Sequence, residues 1–339
     1  MQVYISHNYK GITSAGNKAK TDVENILRSE GFRNIGLPQT HFRNKILSFS
    51  LTLASVLVAM FRLHRGDVLF LQYPLKKYFC LICNVAHRKG ARVIVLVHDL
   101  GCFRRKALSP TQDVARLSHS DYIIALTDCM RLWLVSNGCN LPCGTLGFWD
   151  YLSSSEMNLR RSLHSPARIA YAGSLNGKKN AFLFEWVRNK HPFLLSLYGH
   201  HFDATEVETS FAHFEGFVSS DKFVAHCEDD FGLVWDGAST TTCSGSYGEY
   251  LRLNAPHKAS FYIRSGLPII VWKNSGIASV VQSEGVGMCI NSLEELDDML
   301  SRVTEEKYQE MRTRVLHLSE RINKGCFLRK ALHEALSAL

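Results

Sequence analysis

The sequence predicts an α/β protein built from two open parallel sheets covered by helices. Short runs rich in Val, Ile and Leu alternate with segments of helical period along the whole chain, which is typical of βαβ units. A polar stretch over residues 148–166, "FWDYLSSSEMNLRRSLHSP", interrupts this alternation. A chain of 339 residues also suits two domains of ordinary size. We therefore expect a first domain over 1–150, a linker over 151–166 and a second domain over 167–320.

The first half shows five strand-like runs and four helical segments. The predicted strands are Val3 to Ser6, Asp67 to Gln72, Arg92 to Val97, Tyr122 to Leu126 and Gly144 to Leu146. The predicted helices cover about Lys18 to Ser29, Arg43 to His64, Leu75 to Lys89 and Cys129 to Asn137.

The second half repeats the pattern. Its predicted strands are Arg168 to Ala172, Phe193 to Tyr198, Ala212 to Phe217, Phe231 to Trp235, Pro268 to Trp272 and Gly287 to Ile290. Its predicted helices lie near Lys179 to Asn189, Ser219 to His226, Pro256 to Ser265 and Ile277 to Ser283, and Thr304 to Leu339 reads as helix nearly throughout. Two such sheets predict a cleft at the carboxyl ends of their strands, where ligands bind in this architecture.

The longest apolar run is "ILSFSLTLASVLVAMF", residues 46–61, with Arg43 and Lys45 before it and Arg62 and Arg65 after it. It is shorter than the roughly 20 apolar residues that cross a bilayer. We expect a buried helix of the α/β layer. An interfacial helix held to acidic lipid stays open as the alternative.

Composition narrows the classes of partner. The formal net charge of +8 favours anionic partners, but no run of five or six basic residues marks a nucleic-acid tail. The start, "MQVYISHNYKG", has no signal-peptide pattern, so we expect a cytoplasmic protein whose ten cysteines are mostly free thiols. Cys80 and Cys83 have zinc-type spacing without a second pair, which favours a buried helix face over a metal site.

Two glycine-rich turns follow predicted strands. "AGSLNGKK" places Gly173, Asn176, Gly177 and Lys178 between a strand and a helix, where backbone N–H groups can meet an anion. It fits neither the P-loop nor the dinucleotide-binding pattern, and a plain connector stays equally open. "NYKGITSAGNKAK" occupies the matching place after the first strand.

The stretch "YLRLNAPHKASFYIRSGLPIIVW", residues 250–272, gathers polar groups at the start of an apolar helix. Pro256 suits the first helical turn, with Asn254 or Ala255 as the cap. His257 and Lys258 then fall where the helix dipole disfavours a cation, unless a negative group compensates. A bound diphosphate would compensate. Side chains that point into solvent are the alternative, at a cost of only a few tenths of a kcal/mol.

Acidic candidates follow the strands of both halves. His98 and Asp99 come directly after an apolar strand, where Asp99 could accept the proton of an attacking hydroxyl, although an Asx turn is the alternative. Asp236 occupies the equivalent place in the second half. The sequence has no serine-hydrolase elbow, His-Glu-x-x-His or Asp-x-Asp triplet, so we expect metal-independent chemistry.

Together, "TSAGNKAKTDVENIL", "VLVHDL", "IAYAGSL", "FGLVWDG" and residues 250–272 resemble the two-domain GT-B glycosyltransferases. The chain is most similar to the bacterial galactofuranosyltransferase-like group that includes a glucosyltransferase of streptococcal adhesin glycosylation. The resemblance implies two Rossmann-like domains facing across a cleft and a final helix, residues 321–339, that packs back on the first domain. It also implies that the second domain holds most of a nucleoside-diphosphate sugar.

The resemblance assigns roles to individual residues. For the general base that takes the proton of an acceptor hydroxyl, we choose Asp99, beside His98, because it directly follows an apolar strand. Donor contacts would come from the following residues, with Asp236 added for its place after a strand: Ser14, Gly16, Gly173, Ser174, Lys178, Tyr198, Tyr250, Asn254, His257 and Lys258. Retaining members of the superfamily carry two glutamates eight positions apart, where this chain has Glu228 and Asp236, and this departure favours inversion.

We therefore expect a UDP-sugar-dependent transferase that moves galactofuranose or glucose to a growing surface glycan, with a lipid-linked repeat as acceptor. It would work without metal or other cofactor, in the cytoplasm or at the inner face of the membrane. A UDP-sugar 2-epimerase and a non-catalytic partner subunit of the same fold stay open. Peripheral membrane contact and homo-oligomer formation also stay open, and no nucleic-acid partner is expected.

Overall fold

The computed structural model describes residues 1–9, 15–75, 78–104, 108–177, 179–200 and 211–339. The chain forms two compact units, one of Met1–Asp150 with Gly325–Leu339 and one of Tyr151–Lys324. Over the described residues each unit contains one six-stranded sheet, and the strand pairs are parallel throughout. The predicted α/β class is confirmed.

In the first unit the sheet order is β2-β1-β3-β4-β5-β6. The strands are β1 (Gln2–Tyr4), β2 (Arg33–Asn34), β3 (Val68–Tyr73), β4 (Arg92–Val97), β5 (Tyr122–Ala125) and β6 (Cys143–Thr145). The helices are α1 (Ala15–Ser29), α2 (Lys45–Arg62), α3 (Phe79–Arg88), α4 (Gly101–Arg104), α5 (Pro110–Leu117), α6 (Asp128–Ser136) and, from the end of the chain, α14 (Cys326–Ser337).

In the second unit the sheet order is β12-β11-β10-β7-β8-β9. The strands are β7 (Arg168–Ser174), β8 (Leu194–His200), β9 (Ala212–Gly216), β10 (Phe231–Val234), β11 (Ile269–Trp272) and β12 (Gly287–Ile290). The helices are α7 (Ala181–Trp186), α8 (Ser220–His226), α9 (Gly245–Tyr250), α10 (His257–Arg264), α11 (Ala278–Glu284), α12 (Leu296–Ser301) and α13 (Glu305–Asn323).

The long helix expected over Thr304 to Leu339 is two helices. Gly325 separates α13 from α14 with φ +74°, a left-handed conformation that glycine adopts without strain. Asp150 then accepts the backbone N–H groups of Phe327 and Leu328 at 3.2 and 2.7 Å. These bonds fix the first turn of α14 within the first unit.

Helix α2 differs from the buried helix that the sequence predicted. Its buried residues form one narrow stripe of mostly small or hydroxyl side chains: Ser48, Thr52, Ser55, Val56 and Ala59. Ser55 Oγ donates to the carbonyl of Ser6 at 2.7 Å and accepts the N–H of Leu37 at 2.9 Å, so the polar stripe faces the protein. By length and composition, α2 is the one helix among the described residues that could cross a membrane.

Both sheets reverse their winding beside their first strand. β1 lies between β2 and β3, and β7 lies between β8 and β10, so successive connections leave these strands in opposite directions. In open α/β sheets such a switch point leaves a crevice beyond the carboxyl ends of the two strands. We therefore expect functional side chains directly after β1, β3, β7 and β10.

Close packing brings α10 to the switch point of the second sheet. A Cβ on Gly232 of β10 would lie 2.3 Å from Cγ of Tyr262, so only glycine permits this approach. The Tyr262 hydroxyl also accepts the N–H of Ala172 in β7 at 2.6 Å. One buried tyrosine thus anchors α10 against both strands of the switch.

Candidate functional site

A buried ionic cluster lies at the switch point of the second sheet. Asp236 follows β10 and is 5% exposed. Its carboxylate contacts Lys258 Nζ at 2.9 Å and Lys179 Nζ at 3.3 Å. These three residues, with Tyr171 of β7 and Asn180, form what we call the Asp236 cluster.

Tyr171 and Asn180 link the Asp236 cluster to the end of β7 through hydrogen bonds and a cation–π contact. The Tyr171 hydroxyl donates to Asn180 Oδ1 at 2.8 Å, and the Lys258 ammonium lies 4.4 Å from the centre of the Tyr171 ring. Asn180 in turn donates to the carbonyl of Ser174, the last residue of β7. Both strands of the switch are therefore tied to one carboxylate.

Charge pairing dominates the titration of Asp236. Burial raises the pKa of its carboxyl, but the ammonium groups of Lys179 and Lys258 outweigh burial and hold the pKa below its usual value. Burial lowers the pKa of Lys258 to about 8, against the opposing effect of Asp236. At neutral pH the cluster is thus one carboxylate between two cations, with a net positive charge.

Helix α10 begins at His257, one residue later than the sequence suggested. Pro256, rather than Asn254 or Ala255, is the N-cap, and no side chain in the described part of the chain caps the helix. Lys258 does fall in the first turn, as expected, and Asp236 supplies the negative charge that such a cation needs. The local misfit therefore has an internal solution and does not by itself require a bound phosphate.

Gly173 and Ser174 end β7 and are exposed beside the cluster. Gly173 has φ +144°, and a Cβ built there meets no atom within 4 Å. The glycine therefore satisfies an unusual backbone conformation and leaves open space at the carboxyl end of β7.

The other predicted donor residues are not members of the Asp236 cluster. Tyr198 donates to Asp229 Oδ2 at 2.8 Å and packs edge-to-face on Phe223 at 4.8 Å, so its hydroxyl serves an internal bond outside the Asp236 cluster. Tyr250 is 4% exposed at the end of α9.

Asn254 is partly exposed and donates its backbone N–H to the carbonyl of Tyr250 at 3.0 Å. The His257 ring lies 4.9 Å from that of Tyr151. Gly16 is the second residue of α1. Ser14 and Lys178 lie outside the described residues.

The two acids that stand eight positions apart do not form a pair. Glu228 precedes β10, is 77% exposed and approaches Arg168 at 3.8 Å, whereas Asp236 is buried at the other end of the strand. The spacing that suggested an incomplete retaining signature therefore spans the length of one strand.

A second buried carboxyl lies at the switch point of the first sheet. Glu24 of α1 is fully buried and accepts hydrogen bonds from Ser6 Oγ at 2.8 Å and from the hydroxyl of Tyr9. Burial raises the pKa of Glu24 to about 7, and these hydrogen bonds offset only part of that effect.

His98 and Asp99 follow β4, as predicted. His98 is 8% exposed, and its Nε2 bonds Gln72 Oε1 of β3 at 2.8 Å while its ring lies 4.7 Å from that of Trp149. Asp99 is partly exposed just beyond the strand end. The histidine is thus held in place by the protein, and the more accessible Asp99 is the better placed of the two to meet a substrate.

Sequence reasoning missed Lys179 and Glu24. Lys179 immediately follows the predicted Lys178, and the doubled lysine of "NGKK" was its only local signal. Glu24 sits beside Val23 in the apolar stripe of α1, where a carboxyl among core positions is an informative exception. Within the described ranges, no group of three or more His, Cys, Asp and Glu side chains is arranged to hold a metal ion.

Comparison with known proteins places this architecture in a family. Residues 2–148 match the N-terminal domain, and residues 169–335 the C-terminal domain, of glucosyltransferase 3-like proteins. The chain is 26% identical over 326 residues to β-1,6-galactofuranosyltransferase WbbI of Escherichia coli, a match that covers 96% of this chain and 95% of that protein. It is 22% identical over 348 residues to glucosyltransferase 3 of Streptococcus parasanguinis, covering 99% and 98%.

A solved structure shares the fold. The lipopolysaccharide outer core galactosyltransferase WaaB, in its apo form, superposes with a TM-score of 0.61 at 14% identity, over 98% of this chain and 99% of that one. Because the two family domains together span nearly the whole chain and its full-length relatives are glycosyltransferases, this protein belongs to the glucosyltransferase 3-like family and is a glycosyltransferase of the GT-B fold.

Proposed function

We propose that this glycosyltransferase moves a hexose, galactofuranose or glucose, from a UDP-sugar to a hydroxyl of a growing surface glycan. The names of its relatives support the class of sugar, since one is a galactofuranosyltransferase and another a glucosyltransferase. The acceptor we propose is a lipid-linked repeat, met in the cytoplasm at the inner face of the membrane. The reaction would need no metal ion.

The observation that carries this proposal is the net positive Asp236 cluster beside the uncapped start of α10. Unpaired N–H groups at a helix N-terminus and nearby lysines are a common way to bind phosphate. Donors arranged in advance also stabilise the negative charge that grows on a departing diphosphate. Gly173 leaves room for that ligand at the end of β7.

The chemical step has two parts, one at the acceptor hydroxyl and one at the departing diphosphate. An acceptor oxygen forms a bond to the anomeric carbon of the sugar, the bond from that carbon to UDP breaks, and UDP leaves with the electron pair. In our proposal Asp99 takes the proton of the acceptor hydroxyl, while Lys179, Lys258 and the start of α10 receive the charge on UDP. Buried His98 and Gln72 would position the strand end that carries Asp99.

Donor binding tests the first half of the proposal. Calorimetry and thermal unfolding with UDP, GDP and dTDP should show binding and stabilisation by UDP above the other two, because a ligand of the folded state raises its stability by mass action. A protein that binds no uridine diphosphate or UDP-sugar would contradict the proposed donor.

Lys179→Gln tests the phosphate site more selectively than a substitution of Lys258 does. Lys258 is only 12% exposed and buried against Asp236, so its removal would disturb folding as well as binding. Lys179 is 31% exposed, and its loss leaves the Asp236–Lys258 pair in place. We expect UDP affinity to fall about tenfold, the loss of one charge-assisted contact, and Lys273→Gln, an exposed lysine of the same unit, to bind normally. Equal affinity in both variants would remove Lys179 from the donor site.

Asp99→Asn tests the general base. We expect transfer to fall by about a hundredfold or more while UDP affinity stays unchanged, since the carboxylate acts on the acceptor. Asp128→Asn is the matched control, because Asp128 also lies beyond the end of a strand of the first sheet and is exposed. Normal transfer by Asp99→Asn would exclude this base.

The same assay separates an epimerase from a transferase. A 2-epimerase converts UDP-sugar, or releases free sugar, without any acceptor. A transferase releases UDP in step with glycan product. Conversion of UDP-sugar that is independent of acceptor would therefore overturn the proposed reaction while leaving the donor site intact.

A further inference from the structure

Helix α2 presents its large apolar side chains outward. Ile46, Leu57 and Phe61 are 78, 43 and 84% exposed, on the side opposite the buried serine and threonine stripe. Leu53 and Met60 lie on the same outward side by helical spacing and are partly exposed. A helix of a water-facing protein surface normally has the reverse arrangement.

The outward side chains form a continuous stripe. Positions 46, 49, 53, 57 and 60–61 are all apolar and recur every three or four residues, so they share one face over about 22 Å of helix axis. Phe42, 50% exposed, precedes the helix. Contiguous exposed apolar surface of this kind marks a site of interaction with a protein or a membrane.

Basic residues lie at both ends of this stripe. Arg43 and Lys45 stand at its start, Arg62 and Arg65 at its end, and all four are exposed. Residues 31–98 contain ten Lys or Arg and a single acidic residue, Asp67, which is 2% exposed and bonded to the N-terminal amine. That segment carries a net charge of +9, so it accounts for more than the +8 of the whole chain. The positive charge is thus concentrated here, although no continuous run of basic residues reveals it.

We propose that the outward face of α2 binds the surface of a bilayer that contains anionic lipid, with the helix lying in the plane of the interface. An apolar stripe with cationic flanks matches acyl chains and acidic headgroups in one element. The area is less suited to a second copy of this chain. Paired helices would bring basic ends together in the parallel and the antiparallel arrangement alike, because both ends are positive.

Vesicle flotation tests the proposal without sugar nucleotide or acceptor, so its outcome is independent of the proposed transfer reaction. The full-length protein should float with vesicles of phosphatidylethanolamine and phosphatidylglycerol, bind phosphatidylcholine vesicles far more weakly, and dissociate as salt is raised. Absence of binding to anionic vesicles, or equal binding to neutral ones, would overturn the proposal.

Two sets of variants separate the apolar and the electrostatic parts. Leu57→Gln/Phe61→Gln should weaken vesicle binding about tenfold or more, because the proposed contact would lose two apolar side chains that enter the bilayer interface. The matched control is Leu132→Gln/Val135→Gln, the same change at residues of α6 that are 54 and 50% exposed. Equal loss of binding in both pairs would contradict a role for α2.

The charge variant keeps the apolar stripe. Arg43→Gln/Lys45→Gln/Arg65→Gln should weaken binding to anionic vesicles by about fivefold per basic residue at low salt. Three exposed lysines elsewhere, changed as Lys190→Gln/Lys307→Gln/Lys330→Gln, form its control with the same change in net charge. Far-ultraviolet circular dichroism checks that each variant is folded. If the apolar variant is unfolded, the charge variant alone tests whether α2 binds the bilayer. Light scattering that shows self-association lost in Leu57→Gln/Phe61→Gln, with no vesicle binding by the parent, would assign the face to a second copy instead.

Discussion

Each sheet has a buried carboxyl group beside its switch point, and the surroundings of these two groups shift their pKa values in opposite directions. Glu24, at the switch point of the first sheet, is bonded by the hydroxyls of Ser6 and Tyr9, and burial raises its pKa to about 7. Asp236, at the switch point of the second sheet, lies between Lys179 and Lys258, and its pKa is held below its usual value. Burial acts in the same direction on both groups, so the charge of the partner decides the outcome.

This difference bears on what each unit can do. A carboxylate fixed between two ammonium groups stays charged at neutral pH and leaves one positive charge available to a phosphate. A carboxyl held by hydroxyls near its titration point changes charge with small changes of pH and offers no fixed field. The second unit is therefore the better equipped to bind an anionic donor, which agrees with our proposed function.

The largest effect we expect is from Asp236→Asn. This change leaves the buried ammonium of Lys258 without its carboxylate and should lower the free energy of unfolding by about 3 kcal/mol. Because the pKa of Lys258 is already lowered to about 8, deprotonation of the lysine limits the cost. Urea denaturation at neutral pH measures it. Asp298→Asn, in an exposed ion pair with Arg302, should change stability by less than about 0.5 kcal/mol, and an equally small change for Asp236→Asn would mean that the cluster does not stabilise the fold.

Much of this contrast could be predicted from the sequence. Runs such as "VIVLV" and "FGLVW" predicted β4 and β10, and parallel strands place the residues that follow them at one edge of the sheet. Asp99 and Asp236 were therefore expected at the carboxyl ends of their strands. Lys258 was also expected at the site, with a bound diphosphate as the negative group beside it. In the structure the carboxylate of Asp236 supplies that negative charge.

The remaining features depend on contacts between residues that lie apart in the sequence, and the local sequence pattern does not specify such contacts. The contact of Lys179 with Asp236 is set by the path of the chain into α7, which the local sequence does not specify. The burial of Glu24 follows from Ser6 and Tyr9, which lie more than a dozen residues earlier. For α2, the close approach of Gly36 to Ser55 sets which face packs inward, since a Cβ on Gly36 would lie 2.3 Å from Ser55 Oγ.

Glu24→Gln tests the other carboxyl through the pH dependence of stability. Between the unfolded pKa near 4.5 and the folded pKa of about 7, the folded protein keeps a proton that the unfolded chain releases. The stability contributed by the protonated group is therefore complete below the unfolded value and is lost as pH rises through the folded one. We expect about 2 kcal/mol of this loss between pH 5 and 7, and Glu24→Gln should remove it.

The control for this experiment is Asp150, whose pKa burial also raises to about 7, despite its bonds to Leu328 and Phe327. Its loss of stability has the same sign, so part of the slope should persist in Glu24→Gln. Asp150→Asn should remove that other part and leave the Glu24 contribution. Identical pH profiles for the parent and Glu24→Gln would show that Glu24 does not hold a proton in the folded state.

Lys179→Met measures how much the second cation contributes to the Asp236 cluster. The lysine is 31% exposed at 3.3 Å from the carboxylate, so solvent screens the pair and we expect a loss of about 1 kcal/mol. Lys258→Met, which removes the nearer and more buried cation, should cost more. Denaturant midpoints of the two variants give the comparison. A larger loss for Lys179→Met than for Lys258→Met would contradict this order and make Lys179 the main partner of Asp236.

The smallest effect concerns Ser6→Ala, which removes one hydroxyl donor from Glu24. Hydrogen bonds to a charged acceptor are stronger than those to a neutral one, so the loss should be about 1 kcal/mol at pH 8 and smaller at pH 5, where the carboxyl of the folded protein is protonated. Ser29→Ala, whose hydroxyl bonds only a carbonyl of its own helix, should show no such pH dependence. If Ser6→Ala costs the same at both pH values, Glu24 has one protonation state across that range. The two switch points would then differ only in whether lysines lie beside the buried carboxyl group.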